Sequence, residues 1–146
     1  MAYTKSAAIT GAGTILSIGA TPTPVAEIKS IKVSGRKWDT DDVTNMSSPG
    51  YKEFISTIID PGEWALEGNR VSGDAGQAAM EAAFASGALT AFTVQLPVAG
   101  AQKTKGDCYT FNALVTEIDY SFETTKADSM SCKLKVSGAI TLAVGS

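Results

Sequence analysis

Two stretches near the C-terminus, Asn112–Glu123 and Ser129–Leu142, alternate apolar and polar residues along most of their length. A period of two sends successive side chains to opposite faces of an extended chain, so neither stretch can bury its apolar set as a helix. In the first, Leu114, Ile118, Tyr120 and Phe122 share one face, and Val115, Glu117, Asp119 and Glu123 the other. In the second, Met130, Cys132, Leu134, Val136, Ile140 and Leu142 point inward, and Ser131, Lys133, Lys135 and Ser137 outward. A hairpin centred near Lys126 sets Asp119 opposite Lys133 and Glu117 opposite Lys135. Such cross-strand pairs stabilise a ladder by about 0.2–1 kcal/mol each.

The rest of the chain is punctuated in the same β manner. Thr14–Ile18 reads as a strand, followed by the Thr21-Pro22-Thr23-Pro24 loop, whose prolines cannot join a central ladder. Val25–Ser34 reads as a second strand, but Lys29 and Lys32 fall on opposite faces and leave its buried side open. Residues 36–50 form a long polar inter-strand loop with Asp39, Asp41 and Asp42 between Trp38 and Met46. A loop of that length is either a mobile surface segment or a docking arm that orders against a partner. Tyr51–Ile59 and Glu63–Gly68 flank Asp60-Pro61-Gly62, which predicts a type II turn and a hairpin. Trp64 and Leu66 then face one side, Glu63 and Glu67 the other.

One helix interrupts the strands, over residues 74–86. Asp74 caps it, Gln77 is placed to reach back as in a capping box, and Gly87 stops it. Its apolar face is Ala79, Met80, Ala83 and Phe84, with Gln77 and Glu81 outside. Phe92–Leu96 is a further strand stopped by Pro97, and residues 99–106 make a flexible tip. At 146 residues the chain is one domain, residues 1–146, able to bury roughly 70% of its unfolded surface.

Catalytic chemistry is hard to find. The sequence has no histidine, which removes histidine-based nucleophilic catalysis and histidine zinc sites. It has no Walker loop, dinucleotide fingerprint or nucleophile elbow, and Gly11-Ala12-Gly13 precedes a strand rather than a helix. Asp39, Asp41 and Asp42 lack the glycine and closing glutamate of a calcium loop. Glu63 and Glu67 have no supporting polar pocket in the pattern and read as surface carboxylates. We therefore expect no enzyme, no metal and no cofactor. A net charge of −3 argues against tight binding to a phosphate backbone. No apolar run is long enough to span a membrane, and the N-terminus lacks a signal-peptide core, so no membrane partner and no general secretion are expected. Cys108 and Cys132 are read as buried thiols of a reducing compartment, with a single structural disulfide as the other reading.

Order and spacing of these elements carry a resemblance. Asp42-Val43-Thr44 followed by Pro49-Gly50-Tyr51-Lys52-Glu53-Phe54-Ile55 resembles the segment before the central hairpin in tail tube proteins of long-tailed bacteriophages (siphophages), the lambda-like tail tube family. Asp60-Pro61-Gly62-Glu63, Leu66-Glu67-Gly68-Asn69 and Val136-Ser137-Gly138-Ala139-Ile140-Thr141 are similar to that family too, as is the Thr-rich opening that runs into Gly13-Thr14-Ile15-Leu16.

The resemblance implies a mainly β, sandwich- or barrel-like subunit with one short flanking helix. Its strands would join those of five copies in a hexameric ring barrel, and stacked rings would form the hollow tail tube. The partners so implied are other copies, the tape measure protein, the tail tip or baseplate and the tail terminator, with DNA only in transit. The implied location is the virion tail, assembled in the host cytoplasm, and the resemblance favours a non-contractile tail. On that reading Glu63, Glu67, Glu117, Asp119 and Glu123 are candidates for an acidic lumen wall. Trp38, Asp39, Asp41, Asp42 and Met46 are candidates for a ring-stacking loop. The alternative is a β-sandwich binding or adhesion module on a phage or cell surface.

Overall fold

The computed structural model describes residues 10–100 and 102–146. The single-domain reading and the Thr-rich opening extend over residues 1–9 and 101, which lie outside the described residues. Among the described residues, ten strands and one helix follow in the order β1 (Ile15–Ile18), β2 (Thr23–Pro24), β3 (Ile28–Ser34), β4 (Lys37–Asp42), β5 (Phe54–Asp60), β6 (Glu63–Asn69), α1 (Ala75–Ser86), β7 (Thr90–Gln95), β8 (Cys108–Ser121), β9 (Ser129–Val136) and β10 (Thr141–Ala143).

The main sheet runs β2-β1-β7-β8-β9-β6-β3, with β10 also on β8. Strand β8 is the pivot. Its first half, Cys108–Ala113, pairs with β7, and its second half, Ala113–Ser121, pairs with β9. The sheet can therefore wrap around a single core that takes Leu16, Ile18, Phe92 and Val94 from one half and Trp64, Leu66, Cys132 and Leu134 from the other. Phe111 joins the halves, with its ring stacked on Trp64 at 4.6 Å and on Phe92 at 5.8 Å. Pro24 does enter a ladder, but only on the edge strand β2, where a missing N–H costs no central bond.

The terminal hairpin forms with a different register. Glu117 lies opposite Lys133, Asp119 opposite Ser131, and Lys135 opposite Leu114. The cause is a bulge between Val115 and Glu117, which places an extra residue in β8 and switches which parity faces inward. Val115 is consequently buried with Phe111 and Ala113, whereas Leu114 shares the outer face with Glu117 and Asp119. On β9 the alternation holds, and Met130, Cys132, Leu134 and Val136 are all buried. The expected single strand to Leu142 instead breaks after Val136, and Leu142 is exposed.

Helix α1 starts and stops as its sequence dictates. Asp74 Oδ2 accepts from Gln77 N at 3.0 Å, and Gly87 takes the left-handed conformation at φ 66°. The Gln77 side chain does not reach back to the cap. It is buried, accepts from Val71 N and donates to Ala26 O and Asn69 O, and so ties the helix to the β2–β3 and β6 ends. Phe84, expected in the core, is 45% exposed, and Met80 and Ala83 make the buried stripe. Both cysteines are free, and burial pushes the Cys132 thiol up to about 12, which leaves it protonated at neutral pH.

Candidate assembly surfaces

The segment expected as a long loop over residues 36–50 is largely a strand and a tight tip. Strand β4 pairs with β5 as a separate two-stranded ribbon, and β5 makes no hairpin with β6. The pairing of β3 with β6 continues into that of β4 with β5, so Ile28–Asp42 and Phe54–Asn69 make one long antiparallel arm that is kinked in the middle. The kink falls at Gly35 and Gly62, both at positive φ, where Asp60 Oδ1 accepts from Gly62 N at 3.0 Å. That hydrogen bond holds the Asp60 carboxyl below its ordinary value, with Lys135, 3.7 Å away, helping. Asp60-Pro61-Gly62 thus bends the chain without reversing it.

The tip of the arm is built from its own polar groups. Val43 N donates to Glu53 O, Ser47 N to Asn45 Oδ1, and Ser48 Oγ to Glu53 Oε2 at 2.8 Å. Hydrogen bonds from Thr44 hold the Asp42 carboxyl below its usual value. Short turn-forming side chains at Thr44, Asn45 and Ser48 explain why this stretch closes on itself.

Nine of the sixteen exposed large hydrophobic residues among those described lie on this arm. Register sets Trp38 opposite Ile59 and Asp42 opposite Phe54, which puts Trp38, Ile59 and Phe54 on one face. Asp39, Asp41 and Ile55 take the other. Met46 stands fully exposed at the tip. The stacking candidates Trp38, Asp39, Asp41, Asp42 and Met46 therefore share one element, though Asp39 and Asp41 face away from Trp38. Sequence reading missed Tyr51, Phe54, Ile55, Ile58 and Ile59. Their signal was the run Phe54-Ile55-Ser56-Thr57-Ile58-Ile59, whose apolar residues cannot all share one strand face. Both faces of a two-stranded ribbon this apolar must be covered by something, because such ribbons are marginal in water.

The second surface is the outer face of β3, β6, β9 and β8. Here the register aligns Ser30, Glu67, Ser131 and Asp119 in one row, and Lys32, Ala65, Lys133 and Glu117 in the next. Ser34, Glu63, Lys135 and Leu114 make a third. Four of the five acidic candidates, Glu63, Glu67, Glu117 and Asp119, thus share one face. Glu123 does not, because it lies in the connection after β8 and pairs with Lys126 at 3.7 Å. The face is mixed in charge, and Lys133 reaches Glu117 at 3.6 Å.

An open groove of about 770 Å³ lies between Gly11–Thr14 and β3, and is lined also by Arg36, Trp64 and Tyr109. The lining has no carboxylate and no nucleophile–base pair that could do acid–base or covalent chemistry. Among the described residues no cluster could hold a metal ion, and no helix is long and apolar enough to cross a membrane.

Comparison with solved structures places the fold. A chain from the virion of a native gene transfer agent particle superposes with a TM-score of 0.74 at 18% identity, over 94% of this chain and 100% of that one. A chain from the anti-feeding prophage baseplate gives 0.72 at 8% identity, over 97% and 98%. The SPP1 tail tube gives 0.69 at 16% identity, over 95% and 80%. Among curated proteins, none matches the sequence significantly. The sequence model of one family, the phage tail tube proteins, matches residues 27–142, which span the arm, the helix and the terminal hairpin. The chain belongs to the phage tail tube protein family and is a structural subunit of the virion tail.

Proposed function

We propose that six copies of this chain form a ring and that stacked rings form a hollow tube, with the arm making the contact between rings. The observation that carries this reading is the arm itself, an ordered ribbon with apolar side chains exposed on both faces. Such a surface is costly in a monomer and is relieved when another copy covers it. A similar chain comes from a gene transfer agent tail with C6 symmetry, which supports a six-membered ring here. The outer face of β3, β6, β9 and β8 is the lumen wall on this reading. Its carboxylates, interleaved with lysines, hold no cluster of bases on which DNA would stick, so DNA slides through it. The tape measure protein sets the length during assembly in the host cytoplasm, and the tail tip or baseplate and the terminator close the ends. No catalysis is involved.

The test substitutes the directly paired Trp38 and Ile59 together by serine. Both are exposed, so the variant should stay folded and melt within a few degrees of the parent. It should sediment as free subunits or single rings and form no tubes. Normal tubes from this variant would remove the arm from the ring-to-ring contact.

A further inference from the structure

We infer that residues 1–9 fold back into the open groove of their own subunit, between residues 11–14 and β3, and set an oxygen acceptor against the indole N–H of Trp64. The segment is then a strap over one side of the core. This concerns a single subunit and stands whether or not copies assemble. Trp64 makes the demand. It is only 3% exposed, its ring stacks on Phe111, and it lines the groove. Among the described residues, Trp64 Nε1 is the one buried side-chain nitrogen or oxygen without a hydrogen-bond partner. Buried donors are almost always paired, because one without an acceptor forfeits the bond it made to water. The acceptor is therefore expected from chain outside the described residues.

The groove suits a length of chain. Its apolar lining is Ile28, Ile31, Val33, Val94, Leu96 and Tyr109. Ile31 lies opposite the buried Leu66 and Val33 opposite Trp64, so both belong to the inner face of the sheet. Val33 is nevertheless 40% exposed. Apolar side chains on a core face gain when another segment covers them. The charged groups of the lining, Lys29 and Arg36, are both donors, and none of the ion pairs among the described residues uses either. An occupant that brings apolar side chains together with carbonyl and hydroxyl oxygens meets both demands.

Residues 1–9 have that make-up. They carry Met1, Tyr3 and Ile9 as large apolar side chains, Thr4 and Ser6 as hydroxyls, and no acid. Lys5 is their one charged side chain, and its long stem lets the ammonium leave the groove for water. The entry is close at hand. The described residues begin at Thr10, and Gly11 is already part of the groove wall. Thr14 N donates to Gly11 O at 3.1 Å across a reverse turn with Gly13 at φ +92°. A turn of this kind sends the preceding chain back over the body of the subunit. Nine extended residues reach about 30 Å, so the subunit's own groove lies well within range. A tethered segment acts at an effective concentration on the order of millimolar, which favours it over the same segment of a separate copy.

The experiment reads Trp64 itself. In free subunits carrying Trp38→Phe, Trp64 is the sole tryptophan and gives the single indole N–H signal in a proton–nitrogen NMR spectrum. Deleting residues 2–9 should shift that signal and speed its exchange with solvent by about tenfold or more, through loss of the hydrogen bond and its cover. A synthetic peptide of residues 1–9, added to the deletion variant, should restore both saturably. A second measurement keeps the full chain and does not depend on the deletion folding. With Tyr3 replaced by the photocrosslinker p-benzoylphenylalanine, irradiation of dilute subunits should join residue 3 to residues 28–36 or 94–109 in a product of monomer mass. A Trp64 signal indifferent to the deletion would overturn the inference. Crosslinks between chains, crosslinks only outside the groove, or none at all would overturn it too. Both measurements are made on free subunits, so failure of the ring reading would leave their outcome unchanged.

Discussion

Leu134 lies at the middle of the wrapped sheet, fully buried and paired across β9 with Trp64 on one side and Val115 on the other. Its neighbour Lys133 is exposed and makes one surface ion pair. Leu134→Ala should cost about 2–5 kcal/mol, because the surrounding strands cannot collapse into the space left. Lys133→Ala should cost less than about 1 kcal/mol, the usual scale for an exposed pair. Chemical denaturation of both variants decides it, and equal losses would mean that this face of β9 is not the core. Alternation alone identified Leu134 and its three partners on β9. The same rule failed on β8, where the bulge at Thr116 shifts the inner face from Leu114 to Val115. A bulge shifts the phase of the alternation by one residue, and because Leu114 and Val115 are both apolar the pattern there fits either parity. Gln77 was misplaced for a related reason. Its three hydrogen bonds go to segments remote from the helix face, and helical spacing cannot show that those segments converge there.

At the scale of the element, the arm depends on its kink. A Cβ added at Gly62 would collide with the carbonyl of Ser34 and lie 2.9 Å from Arg36 Cγ, and the residue also has φ +87°. Gly62→Ala should therefore destabilise the subunit by about 1–3 kcal/mol. Gly50 at the tip has a similar φ but nothing within 4 Å, so Gly50→Ala should cost the backbone strain alone. Hydrogen exchange resolves the element: in Gly62→Ala the amides of β4 and β5 should lose protection while those of β9 keep it. Uniform protection in both variants would mean that the two glycines are not structurally distinct. Strand β4 was illegible because Lys37-Trp38-Asp39-Thr40-Asp41-Asp42 has no apolar stripe to place against a core. It forms anyway, since its partner β5 supplies the ladder and neither strand is buried. The helix was legible end to end because its cap, its alanine-rich body and its terminal glycine are local signals. By contrast, the pairing of β3 with β6 joins residues separated by the whole arm, and no local pattern encodes it.

At the scale of the molecule, one sheet curls around one core and an apolar arm projects beyond it. Such an arm is unfavourable in a lone subunit, and on the proposed reading copies of the same chain cover it. The family was legible because its weak motifs fall in the right order across the stretch from residue 27 to residue 142. Which face turns toward the axis was not legible, because a sheet's orientation in a ring is a property of the contacts between chains. On the proposed function this chain builds a hollow tube from closed rings. Cryo-electron microscopy of the purified chain, concentrated at low salt, tests it directly. Hollow filaments of stacked six-fold rings are expected, with Glu63, Glu67, Lys133 and Lys135 facing the lumen and the β4–β5 ribbon bridging adjacent rings. A protein that stays strictly monomeric at every concentration, or that forms filaments without a lumen, would contradict it.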